Sequence, residues 1–69
     1  DGEEIQRMLV EAISGLPEKQ RLVFNLRYFD ELSYADMSEM VGTSEGALKA
    51  SFHHAVKKIE NFITKVATI

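Results

Sequence analysis

Leu32-Ser33-Tyr34-Ala35-Asp36-Met37-Ser38-Glu39-Met40-Val41-Gly42-Thr43-Ser44-Glu45-Gly46-Ala47-Leu48-Lys49 holds two helix starts and one helix stop. Ser33 has the side chain of an N-cap, and Asp36 three residues on makes an Asp version of the capping box. Leu32 and Met37 occupy the two positions of a hydrophobic staple around that cap. A short helix is therefore expected over residues 34–41, with Met37, Met40 and Val41 apolar. Gly42 suits the left-handed residue that ends it. Ser44 is the better N-cap for a following helix, with Glu45 in its first turn; Thr43 is the alternative. A short capped helix, a sharp glycine turn and a second capped helix outline a helix-turn-helix.

Downstream, Leu48, Phe52, Ala55, Ile59, Phe62, Ile63 and Val66 repeat at three- and four-residue steps, so the second helix is expected to reach residue 66. With Leu48 at zero on a wheel of 100° per residue, Phe52, Ala55 and Ile59 fall within about 40° of it. Gly46, Ala50, His53 and Lys57 fall within about 40° of the opposite pole, flanked by Lys49 and His54. The outward face has small residues near its N-terminal end, donors further along and no acid at its centre. Such a face lets a helix N-terminus approach phosphates and base edges in a major groove. Close approach of the two helices needs a small residue midway along the first, and Ser38 stands there.

Upstream, Ile5, Met8, Leu9, Ala12 and Ile13 have helical spacing, and Gly15 is the expected stop. Pro17 suits the first turn of another helix, followed by Glu18 at its positive end, running to about residue 29. That helix is apolar on two sides: Leu22, Leu26 and Phe29 with Val23 beside them, and Phe24 with Tyr28. The expectation is a sandwiched helix, or one with a face awaiting a partner; the Phe24–Tyr28 side and the three Met are expected in the core. Arg27 is expected to pair with Asp36 or Glu39. No strand alternation or internal repeat is visible. The fold class expected is all-α: a compact four-helix domain with a helix-turn-helix, winged-helix-like, with the last helix longest.

At 69 residues the chain makes one domain, expected over 1–69, and buries only about 60 % of its unfolded surface. A hydrophobic content of 45 % with 28 % charged residues fits a folded globular domain. The absence of Cys excludes disulfides and thiolate metal sites and is compatible with a reducing compartment. No apolar run approaches the roughly 20 residues of a membrane span, so no membrane insertion is expected. The chain starts at Asp1, not Met, and is read as a fragment of something longer. A cofactor pocket with a lid is nearly excluded by size. The net charge of −3 conceals a split. Residues 1–43 carry nine acids and four bases, net −5, whereas residues 44–69 carry four bases and two acids, net +2. For a polyanionic partner the sign of the local patch decides.

Leu16-Pro17-Glu18-Lys19-Gln20-Arg21, then Val23-Phe24 and Leu26-Arg27, resembles the opening of the C-terminal domain of bacterial sigma factors. Leu32-Ser33-Tyr34, Met37 to Gly42 and Ser44 to Lys49 resemble its helix-turn-helix, and His54 to Ile59 its basic tail. The pattern is that of the extracytoplasmic-function group and covers roughly residues 5–63. The resemblance implies a cytoplasmic, non-enzymatic four-helix domain, sigma domain 4, with no cofactor. It would read the upstream, minus-thirty-five promoter element and dock on the β flap of RNA polymerase core. Anti-sigma factors often sequester such proteins, so one is an expected partner.

The DNA-binding residues expected are Ser33, Tyr34, Ser44, Glu45, Gly46, Lys49, Ala50, Ser51, His53, His54 and Lys57. In the family's docking geometry the first motif helix crosses the backbone, so the N–H groups at Ser33 and Tyr34 can meet a phosphate. Lys49 is a DNA contact by wheel and motif position; the plain alternative is a solvated lysine. His53 faces a base edge or phosphate, and His54, about 60° off the pole, a phosphate; either is equally an ordinary exposed histidine. Adjacent and lacking a third ligand at helical spacing, they are not expected to hold a metal. Lys57, and with less support Lys58, is a backbone clamp or a solvated face. The chain departs from the family at Ser51, His54 and Val56, where large donors are usual, and at Ser38 and Thr43. Losing three cations would lower the salt slope of DNA binding by roughly three units. Two other readings stand beside this one. The output domain of a two-component regulator has a similar outline, but the Leu16–Arg21 string and basic tail count against it. A protein-interaction module that no longer reads DNA is motivated by the acidic balance and the missing arginines. Ser, His and Asp are present, but no nucleophile elbow, phosphate loop or paired-carboxylate pocket is readable.

Overall fold

In the computed structural model, which describes residues 2–67, four helices follow one another: α1 Gly2–Ser14, α2 Glu18–Tyr28, α3 Tyr34–Val41 and α4 Glu45–Ala67. Among the described residues every regular element is a helix. Asp1, Thr68 and Ile69, which the one-domain reading includes, lie outside them. No helix among the described residues is long and apolar enough to cross a membrane.

The motif helices begin and end where their side chains dictate. Ser33 is extended, and its Oγ accepts from the Asp36 N–H at 3.1 Å. Gly42 adopts φ 71°, a left-handed conformation that costs a residue with a Cβ, and its N–H returns to the Ser38 carbonyl at 2.9 Å. Ser44, not Thr43, caps α4: its Oγ accepts from the Ala47 N–H at 3.2 Å. Residues 42–44 thus reverse the chain between two closed helix ends. Pro17 sits one residue earlier than expected, as the N-cap residue of α2 at φ −53°, without a side-chain cap bond. Gly15 closes α1 through N–H bonds to Glu11 and Ala12 without a left-handed φ.

Helix α4 is the spine. Its 23 residues span about 35 Å at 1.5 Å each and account for most of the 41 Å long axis. The other three helices pack against it, and α2 also touches α3. Two apolar clusters line the spine. Ala12, Ile13, Leu16, Phe24, Ala55 and Ile59 form one, with Leu9, Val56, Phe62 and Ile63 partly buried at its edge. Val23, Met37 and Leu48 form the other, joined by Leu26, Leu32 and Tyr34. Phe52 packs on both and stacks on Phe24 with ring centroids 5.6 Å apart. Each fully buried Leu, Val or Met stabilises the fold by about 1.5–3 kcal/mol.

Four expectations change. On α2 only Val23 and Phe24 are buried; Leu22, Tyr28 and Phe29 are exposed, the last at 54 %. The adjacent Val23 and Phe24, one from each side, face the core, and the outer members of both stripes face solvent. Tyr28 still stacks on Phe24 at 5.1 Å. Of the three Met only Met37 is core; Met8 is half-buried and Met40 is 65 % exposed. A helix as short as α3 presents one narrow stripe to α4, and Met40 lies off it. Ile5 and Val66, expected in apolar stripes, are exposed near the far ends of α1 and α4. Arg27 pairs with neither Asp36 nor Glu39. Its Nη1 donates to the Leu32 carbonyl at 2.9 Å, closing the turn after α2.

Candidate nucleic-acid interface

The inner side of α4 is closed along the motif and just beyond it: Leu48 and Ala55 are 0 % exposed and Ile59 is buried. Its outer side is open. Glu45, Gly46, Lys49, Ala50, His53, His54, Lys57 and Lys58 are all exposed, and Ser51 is half-buried at the margin. The sequence-derived wheel is therefore realised along the motif part of α4. Nothing lies within 4 Å of the place a Cβ on Gly46 would take. The first turn of α4 is thus accessible from outside down to its backbone. With Ser44 Oγ occupied by the Ala47 N–H, the N–H groups of Glu45 and Gly46 have no acceptor within the helix. They are free to meet an anion, and the helix dipole favours negative charge there.

The second contribution comes from the start of α3. Ser33 is exposed and Tyr34 half-buried. Tyr34 reaches into the cluster around Met37 and Leu48. Its ring also meets cations from both neighbouring helices: Arg27 Cζ lies 4.9 Å and Lys49 Nζ 5.6 Å from the ring centroid. The structure thus links Tyr34 to Lys49, residues fifteen apart in the chain. His53 and His54 come closer than their wheel positions suggest, with rings edge to face at 6.1 Å. Among the described residues no group of three or more His, Cys, Asp or Glu could hold a metal.

Sequence reasoning missed Arg27 as a member of this arrangement. Its helix periodicity points toward α3, but the contact depends on the turn at residues 29–32. There the Asp30 N–H bonds to Asn25 and the Leu32 N–H to Leu26, and Glu31 takes a positive φ of 54°. No local signal in Asp30-Glu31 announces a left-handed residue, since Gly or Asn would be usual there.

Two capped helices joined by a left-handed glycine turn, the second with one apolar and one open basic side, define a helix-turn-helix domain. The chain belongs to the family described as Sigma-70, region 4, whose model matches residues 6–59. It is 44 % identical over 43 residues to the RNA polymerase sigma factor FliA of Pseudomonas aeruginosa, covering 62 % of this chain and 17 % of that protein. It is 32 % identical over 56 residues to the ECF RNA polymerase sigma factor SigK of Mycobacterium ulcerans, covering 81 % of this chain and 30 % of that one. It is also 32 % identical over 60 residues to the ECF RNA polymerase sigma-E factor of Haemophilus influenzae, covering 87 % and 32 %. The chain therefore spans about a third or less of the relatives it matches.

Proposed function

We propose that residues 1–69 are the promoter-reading C-terminal domain of an extracytoplasmic-function sigma factor, directing transcription initiation from the cytoplasm without catalysis of its own. The observation that carries this reading is the open side of α4, where Lys49, His53 and Lys57 stand exposed opposite a sealed apolar side. Set into a major groove at the minus-thirty-five element, that side offers His53 to base edges and Lys49 to a phosphate lining the groove. His54 and Lys57 serve the phosphates, and Ser51 stands at the rim. Glu45 is an acceptor for a cytosine amino group, and Gly46 and Ala50 leave room for the backbone to approach. Ser33 and Ser44 place two helix ends toward phosphates. Leu22, exposed beside an open cleft of about 480 Å³ lined also by Glu18, Lys19, Val41 and Thr43, belongs to the side offered to the β flap. An anti-sigma factor completes the proposed partners.

The missing large donors at Ser51, His54 and Val56 make unaided binding weak. Polymerase compensates by holding the domain at its site, which raises the effective concentration. Footprinting on a promoter fragment, with and without polymerase core, tests the reading. Protection of the upstream element that needs core is the expected result. Binding of core without any upstream protection would favour an interaction module instead. Lys49→Ala is expected to weaken binding at low salt with the fold intact and to lower the salt slope by about one unit. An unchanged affinity would remove Lys49 from the interface.

A further inference from the structure

We propose that Tyr34 is a positioning residue for Lys49: its ring holds the lysine side chain over the start of α3 in the orientation that meets DNA. The inference rests on the DNA-binding reading of α4 and adds to it a part that α4 alone does not contain. Three observations support it. Lys49 is exposed, and a lysine on an open helix side has a wide choice of rotamers. Its Nζ nevertheless lies 5.6 Å from the Tyr34 ring centroid, within the range over which a ring face attracts a cation. The ring itself is fixed. It is half-buried against the cluster around Met37 and Leu48 and takes the Arg27 guanidinium at 4.9 Å.

Arg27 settles which of the two cations is available. It is half-buried and committed to the Leu32 carbonyl by a 2.9 Å bond, so it buttresses the ring and does not reach outward. Two like charges near one ring also repel, which keeps the Lys49 ammonium from moving inward toward Arg27. The ammonium keeps its exposure while losing much of its freedom. A contact of this kind is weak in water and is readily exchanged for a phosphate or a base edge. The effect is to lower the ordering cost of binding, as preorganisation does.

The test uses the 69-residue chain and a short duplex selected on it from a randomised pool, titrated over a range of salt. Tyr34→Leu is expected to weaken binding about two- to tenfold, the cost of immobilising one long side chain. It is also expected to lower the salt slope as Lys49→Ala does, by about one unit. Tyr34→Phe, which keeps the ring, is expected to preserve both. In a Lys49→Ala background Tyr34→Leu should add little. NMR of the parent and of Tyr34→Phe gives a readout that survives if the leucine variant does not fold. The ε-methylene protons of Lys49 should be shifted upfield by the ring current in both.

Three results would overturn the inference. One is a loss with Tyr34→Phe as large as with Tyr34→Leu, which would place the hydroxyl on DNA. Another is full additivity of Tyr34→Leu with Lys49→Ala. The third is an absent ring-current shift in the parent. If Lys49→Ala itself leaves affinity and slope unchanged, the DNA-binding reading of α4 fails, and that failure is separately visible.

Discussion

Gly46 is a poor residue for stability in the place it occupies. It lies in the first turn of α4, makes no contact through a Cβ, and has no positive φ that would require glycine. Alanine at this position would gain up to about 1 kcal/mol in helix propensity. The bare backbone there is understood if something must come close to it. Gly46→Ala is accordingly expected to raise the melting temperature and to weaken promoter binding. Thermal denaturation and a binding titration on the same preparation check the pair of effects. A variant that is more stable and binds equally well would mean that no ligand approaches that turn. Ser44 illustrates the complementary case. Its hydroxyl is spent on the Ala47 N–H, so capping alone accounts for it in the free protein.

Helix α3 is the element in which length matters most. Eight residues make barely two turns, too few for a helix to persist on its own in water. It persists because both ends are closed and because Met37 is sealed against Leu48 and Val23. Ser38 is half-buried on the same short helix, which packs on α4. Ser38→Leu is expected to destabilise the domain by roughly 1–3 kcal/mol through overpacking. Chemical denaturation measures it directly, and a midpoint equal to the parent's would show that the two helices have slack between them. Helix α2 is held differently. Its last turn is closed by the chain folding back through Leu32 and by the Arg27 side chain. The Arg21 Nη1 reaches the Ser14 carbonyl at the end of α1 at 3.4 Å.

The molecule as a whole is a spine with an apolar cluster at each of two levels, and Phe52 is the residue common to both. Its ring stacks on Phe24 at an interplanar angle of 11°, so one aromatic pair ties the level of the motif helices to the level of α1. A domain of this size has a total stability of only about 3–10 kcal/mol. Phe→Ala in a core costs about 3–5 kcal/mol, and Phe52, being half-buried, belongs at the lower end. Phe52→Ala is therefore expected to bring the chain close to unfolding at ambient temperature. Circular dichroism at rest and on heating reads this, and a cooperative transition near the parent's would mean that the two clusters are independent. The charge split runs along the chain in the same sense as the division of labour. The basic side chains of α4 stand on the open side, while most of the acids lie in the segments that precede it.

Much of this protein was determined by local chemistry that the sequence displays. Ser33, Gly42 and Ser44 set the three boundaries of the motif because a hydroxyl cap and a left-handed glycine act on their immediate neighbours. The apolar period of α4 determined which of its sides closes, and the exposed side with Lys49, His53 and Lys57 follows from the same period. Tertiary structure alone decided which members of the two apolar stripes on α2 are covered, because periodicity shows a stripe but not whether a neighbour exists to bury it. It also decided that Met40 and Phe29 face water and that Arg27 and Lys49 share the ring of Tyr34. Those contacts join residues on three helices. They depend on how the turns after α2 and α3 aim the next helix, a rigid-body property that no single stretch of sequence carries.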